Sequence, residues 1–407
     1  MASQRYRDMR MRKRTTARSQ LIAIFLIMAL VPLACTLSMP ASTTPSLSAL
    51  PTVPEVTVTE SATDWLQSYF TDPSALQVVG HERGLDEILS AAIIKARLSV
   101  DVAAFGLDLV SIRDALIQAH QRGVVVRVLL ENDNNGNQEI RDIQDAGVTV
   151  IGDNSLGLMH NDFVIIDRNE VWTGSMDLTL AGTYNDNNNL LHIHNKTVAL
   201  KFLADFDEMF NANLSGLGVH TAAPGPMPSP MVSIEDTVME VYFLPDNNDA
   251  VEKRVNELIR GAKQSIYYLS PEFYAEDIYG DLSGIGKSVT VSGVVDSAMA
   301  KYGVPAPGND VRAAGNKNGS MHESVMIIDQ RTVIIGSYNF TSEVNQAVYG
   351  SNSIVNNSNL LIIDNPEIAG IFSREFWNIY QQSLTRWPPP ELLPVPTSSE
   401  PTATPLP

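Results

Sequence analysis

The chain has 407 residues, 18% of them charged and 44% hydrophobic, which suits two or three globular units and excludes a wholly disordered or coiled-coil protein. Its formal charge of −18 deepens to −24 once residues 1–34 are set aside, leaving 21 basic against 45 acidic side chains, so a general nucleic-acid binder is disfavoured. A single cysteine excludes an internal disulfide framework and a multi-cysteine zinc site.

Residues 1–34 join a basic start to fourteen uncharged residues, Leu21–Ala34. That run is short for a bilayer span and has the length of the apolar part of a secretory signal. Cys35 follows at once in LVPLAC, which resembles a bacterial lipoprotein cleavage box apart from Pro32. The expectation is an exported protein, lipidated at Cys35 and facing outward from the cell membrane. Residues 35–63 read as a Ser/Thr/Pro-rich tether and 217–236 as a Pro/Gly linker. Residues 387–407 read as a disordered Pro-rich tail. Two segments remain, 64–216 and 237–386.

Each segment opens on a helix period, with Leu85, Ile88, Leu89, Ala92 and Ile93 in one and Val251, Val255, Leu258 and Ile259 in the other. Buried-strand runs follow at Ser99–Phe105 and Ser265–Ser270, then a helix at Ile112–Arg122 and strands at Gly123–Glu131 and Ser288–Asp296. This alternation predicts an α/β sandwich with a largely parallel sheet.

The polar identities between the segments are stronger than any shared periodicity. MHNDFVIIDRNEVWTGSMD at 159–177 matches MHESVMIIDQRTVIIGSYN at 321–339, an offset of 162. NLLHIHNKTVALKF at 189–202 matches NLLIIDNPEIAGIF at 359–372, an offset of 170. A duplicated unit, packed about a pseudo-twofold axis, accounts for both matches.

A histidine followed by an aspartate seven residues on, and then by Gly-Ser-x-Asn or Asp, resembles the H-x-K-x4-D and G-S-x-N signature of the phospholipase D superfamily. The resemblance covers about 320 residues, from tether to tail. It implies two α/β halves with pseudo-twofold symmetry and a shared cleft at their interface. It further implies diester hydrolysis through a phosphohistidine, without metal or other cofactor. Carried over residue by residue, the site set is His160, His322, Ser175, Ser337, Asn339, Asp167 and Asp329. By position the resemblance favours His160 as the nucleophile and His322 as the acid, although the sequence alone does not order them. Asp167 and Asp329 also suit a structural role, capping the turn after each strand.

The departures from the signature run in one direction. Asp162 and Ser324 stand at the two lysine positions, and Asp177 replaces the first asparagine. Neutral Asn188 and Ser358 occupy the positions expected to carry ring-orienting acids. A carboxylate about 4 Å from a phosphate costs roughly 4 kcal/mol at an effective dielectric of 20, where lysine would gain as much. Weakened phosphodiesterase activity is therefore expected, on a phospholipid head group or similar diester. A catalytically inactive ligand-binding relative and a nuclease-like phosphodiesterase are the alternatives. Lys317 is a candidate replacement cation, and His192 with His194 a candidate metal pair, although their copies, Ile362 and Asp364, form none. His160, Asp162 and His322 would suit a divalent metal only if they converged closely.

Overall fold

The computed structural model describes residues 58–73, 83–134, 136–154, 157–215, 229–271, 276–302, 306–315, 319–340, 356–383 and 385–386. The signal segment, Cys35, most of the tether, Lys317 and the Pro-rich tail lie outside them. In the first half β1 (Val58–Thr63) and β2 (Leu66–Phe70) form an antiparallel hairpin. The alternation predicted from sequence follows, with α1 (Leu85–Lys95), β3 (Ser99–Ala104), α2 (Val110–Gln121) and β4 (Val125–Glu131). Then come α3 (Gln138–Asp145), β5 (Thr149–Asp153), β6 (Phe163–Ile166), β7 (Glu170–Gly174), α4 (Leu180–Tyr184), β8 (Asn189–Ile193) and the long α5 (Lys196–Leu214).

The second half repeats the plan. It runs through β9 (Met231–Ile234), β10 (Thr237–Leu244), α6 (Asn248–Gly261), β11 (Ser265–Ser270), α7 (Glu276–Ile285), β12 (Thr290–Val295) and α8 (Ser297–Tyr302). It ends with β13 (Asp310–Ala313), β14 (Val325–Ile328), β15 (Thr332–Gly336), β16 (Ser358–Asp364), α9 (Pro366–Gln382) and β17 (Thr385–Arg386). β1 falls inside the span 35–63 and β9 inside 217–236.

Both sheets are mixed, which corrects the expectation of largely parallel ones. The orders are β1-β2-β8-β7-β6-β3-β4-β5 and β17-β13-β12-β11-β14-β15-β16-β10-β9. Helical crossovers make β3, β4 and β5 parallel, and likewise β11, β12 and β13. The strands after each histidine are instead joined by three-residue turns, which force β6 against β7 and β14 against β15 antiparallel. Asp167 and Arg168, and Asp329 and Gln330, bend those turns with φ near +54°.

The two halves share a core. The inner faces of both sheets bury Phe163, Ile165, Leu191, Val325, Ile327 and Leu361 around α5 and α9. Phe202 and Phe206 on α5, with Phe372 and Phe376 on α9, are fully buried there. Each such side chain is worth about 2–3 kcal/mol of apolar burial, so this shared core fixes one half against the other. The two helices start alike: Asn195 accepts from the Thr197 and Val198 amides, and Asn365 from those of Glu367 and Ile368. The outer faces are covered separately, one by α1, α2 and α3, the other by α6 and α7. Among the described residues no helix is long and apolar enough to cross a membrane.

Candidate active site

The two histidine loops are held by exchange between halves. Met159 bridges Asn357, and Met321 bridges Asn187. The His160 amide donates to the Asn357 carbonyl at 2.9 Å, and the His322 amide to the Asn187 carbonyl at 3.1 Å. Return bonds run from the Asn357 amide to Leu158 at 2.8 Å and from the Asn187 amide to Ser320 at 2.9 Å. The bonds match at the 162- and 170-residue offsets of the sequence repeat, so each half builds the backbone under the other's histidine.

Two acids that the motif does not contain fix the residue before each histidine. Glu131, at the end of β4, accepts from the Met159 amide at 2.7 Å. Asp296, just past β12, accepts from the Met321 amide at 2.8 Å. The only sequence signal was an acidic residue ending equivalent strand runs, GVVVRVLLE and SVTVSGVVD.

The two rings lie close enough together for the charge on one to act on the other. The His322 Nδ1 lies 3.0 Å from the Ser175 carbonyl and 3.1 Å from Asn188 Oδ1, both of the first half. Both partners accept, so Nδ1 carries hydrogen and Nε2 is left for a ligand. His160 donates to the Ser337 carbonyl of the second half and packs edge-on against Phe105, with ring centres 5.7 Å apart. Burial depresses the basicity of His160, the nearby Asp177 carboxylate opposes that, and His322 adds to it. Asn188 therefore does occupy a ring-orienting position, but it serves the histidine of the other half and does so without charge.

The serines are spent on structure. Ser175 Oγ donates to Asn188 Oδ1 at 2.8 Å and accepts from the Asn189 amide at 3.1 Å, and Ser337 Oγ accepts from the Asn359 amide at 3.0 Å. The preceding glycines allow this close approach. A Cβ on Gly174 would stand 2.4 Å from the Asn189 carbonyl oxygen, and one on Gly336 2.3 Å from that of Asn359. The Ser175 hydroxyl proton is thus committed to Asn188.

Asp167 and Asp329, at the turns after β6 and β14, bind backbone amides. The Asp167 carboxylate takes the amides of Arg97, Leu98 and Ser99, and Asp329 those of Lys263, Gln264 and Ser265. Asp162, by contrast, accepts from Phe105 at the other end of β3, about 20 Å away for six residues of strand. The two motif aspartates are turn anchors, remote from the cleft.

Beside the histidines lie the replaced positions. Ser324 Oγ donates to Asn339 Oδ1 at 2.7 Å. At the matching place in the first half Asp162 and Asp177 are hydrogen-bonded to each other. Burial, then the Asp177 charge, push the Asp162 carboxyl well above the usual carboxylate range. Asp186 also faces His322 and Asp177, with Asp296 nearby, so the described charges around the rings are acidic.

The His192–His194 pair is engaged elsewhere. His192 stacks on Trp172 at 4.1 Å and contacts Glu170 and Gln67 through its two nitrogens, while His194 meets Asn169. Among the described residues no group of three or more His, Asp or Glu side chains is arranged to hold a metal.

Residues 89–210 and 255–380 each match the family model described as "Cardiolipin synthase, PLD-like domain". The chain is similar to the mitochondrial cardiolipin hydrolase of Xenopus tropicalis, 31% identical over 121 residues that cover 29% of this chain and 57% of that protein. It is also similar to a phospholipase D of Rickettsia felis, 29% identical over 161 residues that cover 39% of this chain and 76% of the other. In fold it resembles the phosphatidylserine synthase of Haemophilus influenzae Rd KW20, with a TM-score of 0.57 at 12% identity, over 74% of this chain and 84% of that one. With two matched domains spanning more than half its length, each contributing a histidine to the cleft, the chain belongs to the phospholipase D superfamily.

Proposed function

We propose that this chain is a slow phosphodiesterase of the phospholipase D type, exported and held at the outer face of the membrane by a lipidated Cys35. Its substrate class is the head-group diester of a phospholipid or a diester of similar chemistry. One observation carries the reading: two imidazoles share a cleft, and each has its ring bonded to a serine carbonyl of the opposite half. A neutral His160, its basicity lowered by burial, suits attack on phosphorus. His322, with two acceptors on Nδ1, suits protonation of the leaving alcohol and later activation of water. The family names of the relatives support the same chemistry.

The missing lysines favour a second reading, a ligand-binding protein without turnover. Asp162 stands where a cation would neutralise the phosphoryl group, and a swing of several kcal/mol removes several powers of ten in rate. Choline release from phosphatidylcholine, and hydrolysis of bis(p-nitrophenyl) phosphate, separate the two. Slow turnover abolished in His160→Ala and in His322→Ala is expected. Turnover that persists in both variants would sink the first reading, and its complete absence from wild type would leave the second.

A further inference from the structure

We propose that Ser324, standing where the signature carries its second lysine, is a positioning residue: it holds the Asn339 carboxamide by its oxygen and leaves the amide nitrogen to donate to a phosphoryl oxygen. This role presupposes the reading of the cleft as a phosphoryl site, and it names the group that stands in for the lost cation. Ser324 is buried, with 1% of its surface exposed, and its Oγ donates to Asn339 Oδ1 at 2.7 Å. Asn339 itself is only partly buried. Its side chain carries one acceptor oxygen and two N–H donors in a single plane. The oxygen is taken by the buried hydroxyl, and among the described residues the Nδ2 donors have no partner.

The chain geometry sets this pair beside a histidine. Ser324 follows His322 by two residues, immediately before β14. Glu323 between them is fully buried and turns inward to Asn189 of the other half. Side chains alternate along an extended backbone, so Ser324 and His322 lie on the face opposite Glu323.

A hydroxyl cannot supply the charge of a lysine, but it can fix which way a carboxamide faces. Left unheld, Asn339 could turn either its oxygen or its nitrogen outward. An oxygen facing the ligand would repel a phosphoryl oxygen, and the reverse pairing, with Nδ2 donating to Ser324 Oγ, would have that result. Held by its oxygen, the amide presents two N–H groups and no lone pair. The matching positions of the first half, Asp162 and Asp177, hold carboxyls, which have no N–H to offer. The amide donor therefore stands on the His322 side alone, and it is neutral.

The test is titration of the full chain with dimethyl phosphate, a diester of single negative charge, followed by proton–nitrogen NMR of protein labelled at its asparagine side-chain nitrogens. The Asn339 side-chain signal, identified by its loss in Asn339→Asp, should shift as the diester binds. Ser324→Ala should weaken binding about tenfold and abolish that shift, because a hydrogen bond to a charged acceptor is lost. Ser324→Thr restores the hydroxyl and should restore both the affinity and the shift. Equal affinity in wild type and Ser324→Ala would overturn the proposal, as would binding to wild type that leaves the Asn339 signal unmoved. A wild type that binds no dimethyl phosphate would overturn it too. The wild-type shift and the Ser324→Thr variant keep the test decisive if Ser324→Ala fails to fold, which circular dichroism reports. None of these readouts needs turnover. A chain that binds in this way but hydrolyses no diester refutes the phosphodiesterase reading alone, and a chain that turns over with Ser324→Ala unchanged in binding refutes the role of Ser324 alone.

Discussion

Glu323 follows His322 directly, yet its side chain points away from the cleft into the core shared by the halves. It is fully buried, and its Oε2 takes only a long bond of 3.4 Å from Asn189, while Oε1 has no partner. Glu375 on α9 faces it, and burial raises the Glu375 carboxyl to about 7, with Asp72 adding to the rise. Burial and Glu375 likewise raise Glu323 well above its ordinary value. The native pair thus retains protons that the unfolded chain releases above about pH 4.5. Stability must fall as pH rises above about 4.5, and the Glu375 share of that loss is complete once pH passes about 7 and Glu375 is ionised in both states. At about 1.4 kcal/mol per pH unit, Glu375 alone accounts for a loss of about 3 kcal/mol. Glu375→Gln keeps the shape and cannot ionise. It should match wild type near pH 5 and exceed it at pH 8 by about 2–3 kcal/mol, or several degrees in Tm for a unit of this size. Thermal melts followed by circular dichroism at pH 5, 6, 7 and 8 measure this. Parallel curves for the two proteins would refute the argument.

Three further outcomes follow from the geometry. Asn359 donates to Asn161 Oδ1 at 3.0 Å and accepts from Thr173 across the interface, so Asn359→Leu should cost about 1–3 kcal/mol by stranding Asn161 Oδ1, while Thr173 keeps its bond to the Asp162 carbonyl, measured by urea unfolding. Asp167→Ala removes the acceptor of three backbone amides and should cost about 2–3 kcal/mol, with phosphate affinity at the distant cleft unchanged in calorimetry. Gly336→Ala drives a methyl group onto the Asn359 carbonyl and should abolish soluble folded protein, whereas a normal circular dichroism spectrum would show that β15 and β16 can separate there.

The sequence repeat located both histidines and the strands that carry them, because identities at fixed offsets survive where periodicity alone would be ambiguous. The helix runs at Leu85–Ile93 and Val251–Ile259 fall inside α1 and α6 for the same reason that amphipathic periods usually do: one face meets a sheet. The direction of the strands was not legible. Three-residue turns at Asp167 and Asp329 carry no Asn-Gly or Asp-Gly pair, and only their positive φ reveals why β6 and β7 reverse. Nor could sequence spacing show that Asn188 serves His322, 134 residues away, since the exchange depends on how the halves pack. Glu131 and Asp296 were missed because each acts through the backbone amide ahead of a histidine, 28 and 25 residues downstream. The Asp162–Asp177 contact was half visible: the departures from the motif were plain, but not that they touch.

Covalent catalysis by the two histidines is tested most directly by trapping the phosphoryl intermediate. Wild type mixed with a phosphodiester, quenched in alkali and digested, should yield a peptide carrying an acid-labile phosphoryl adduct on His160. The adduct should accumulate in His322→Ala if a substrate with a good leaving group is used, because water then lacks its base. Substrate turnover without any adduct on His160 or His322, in wild type and in both alanine variants, would contradict the account.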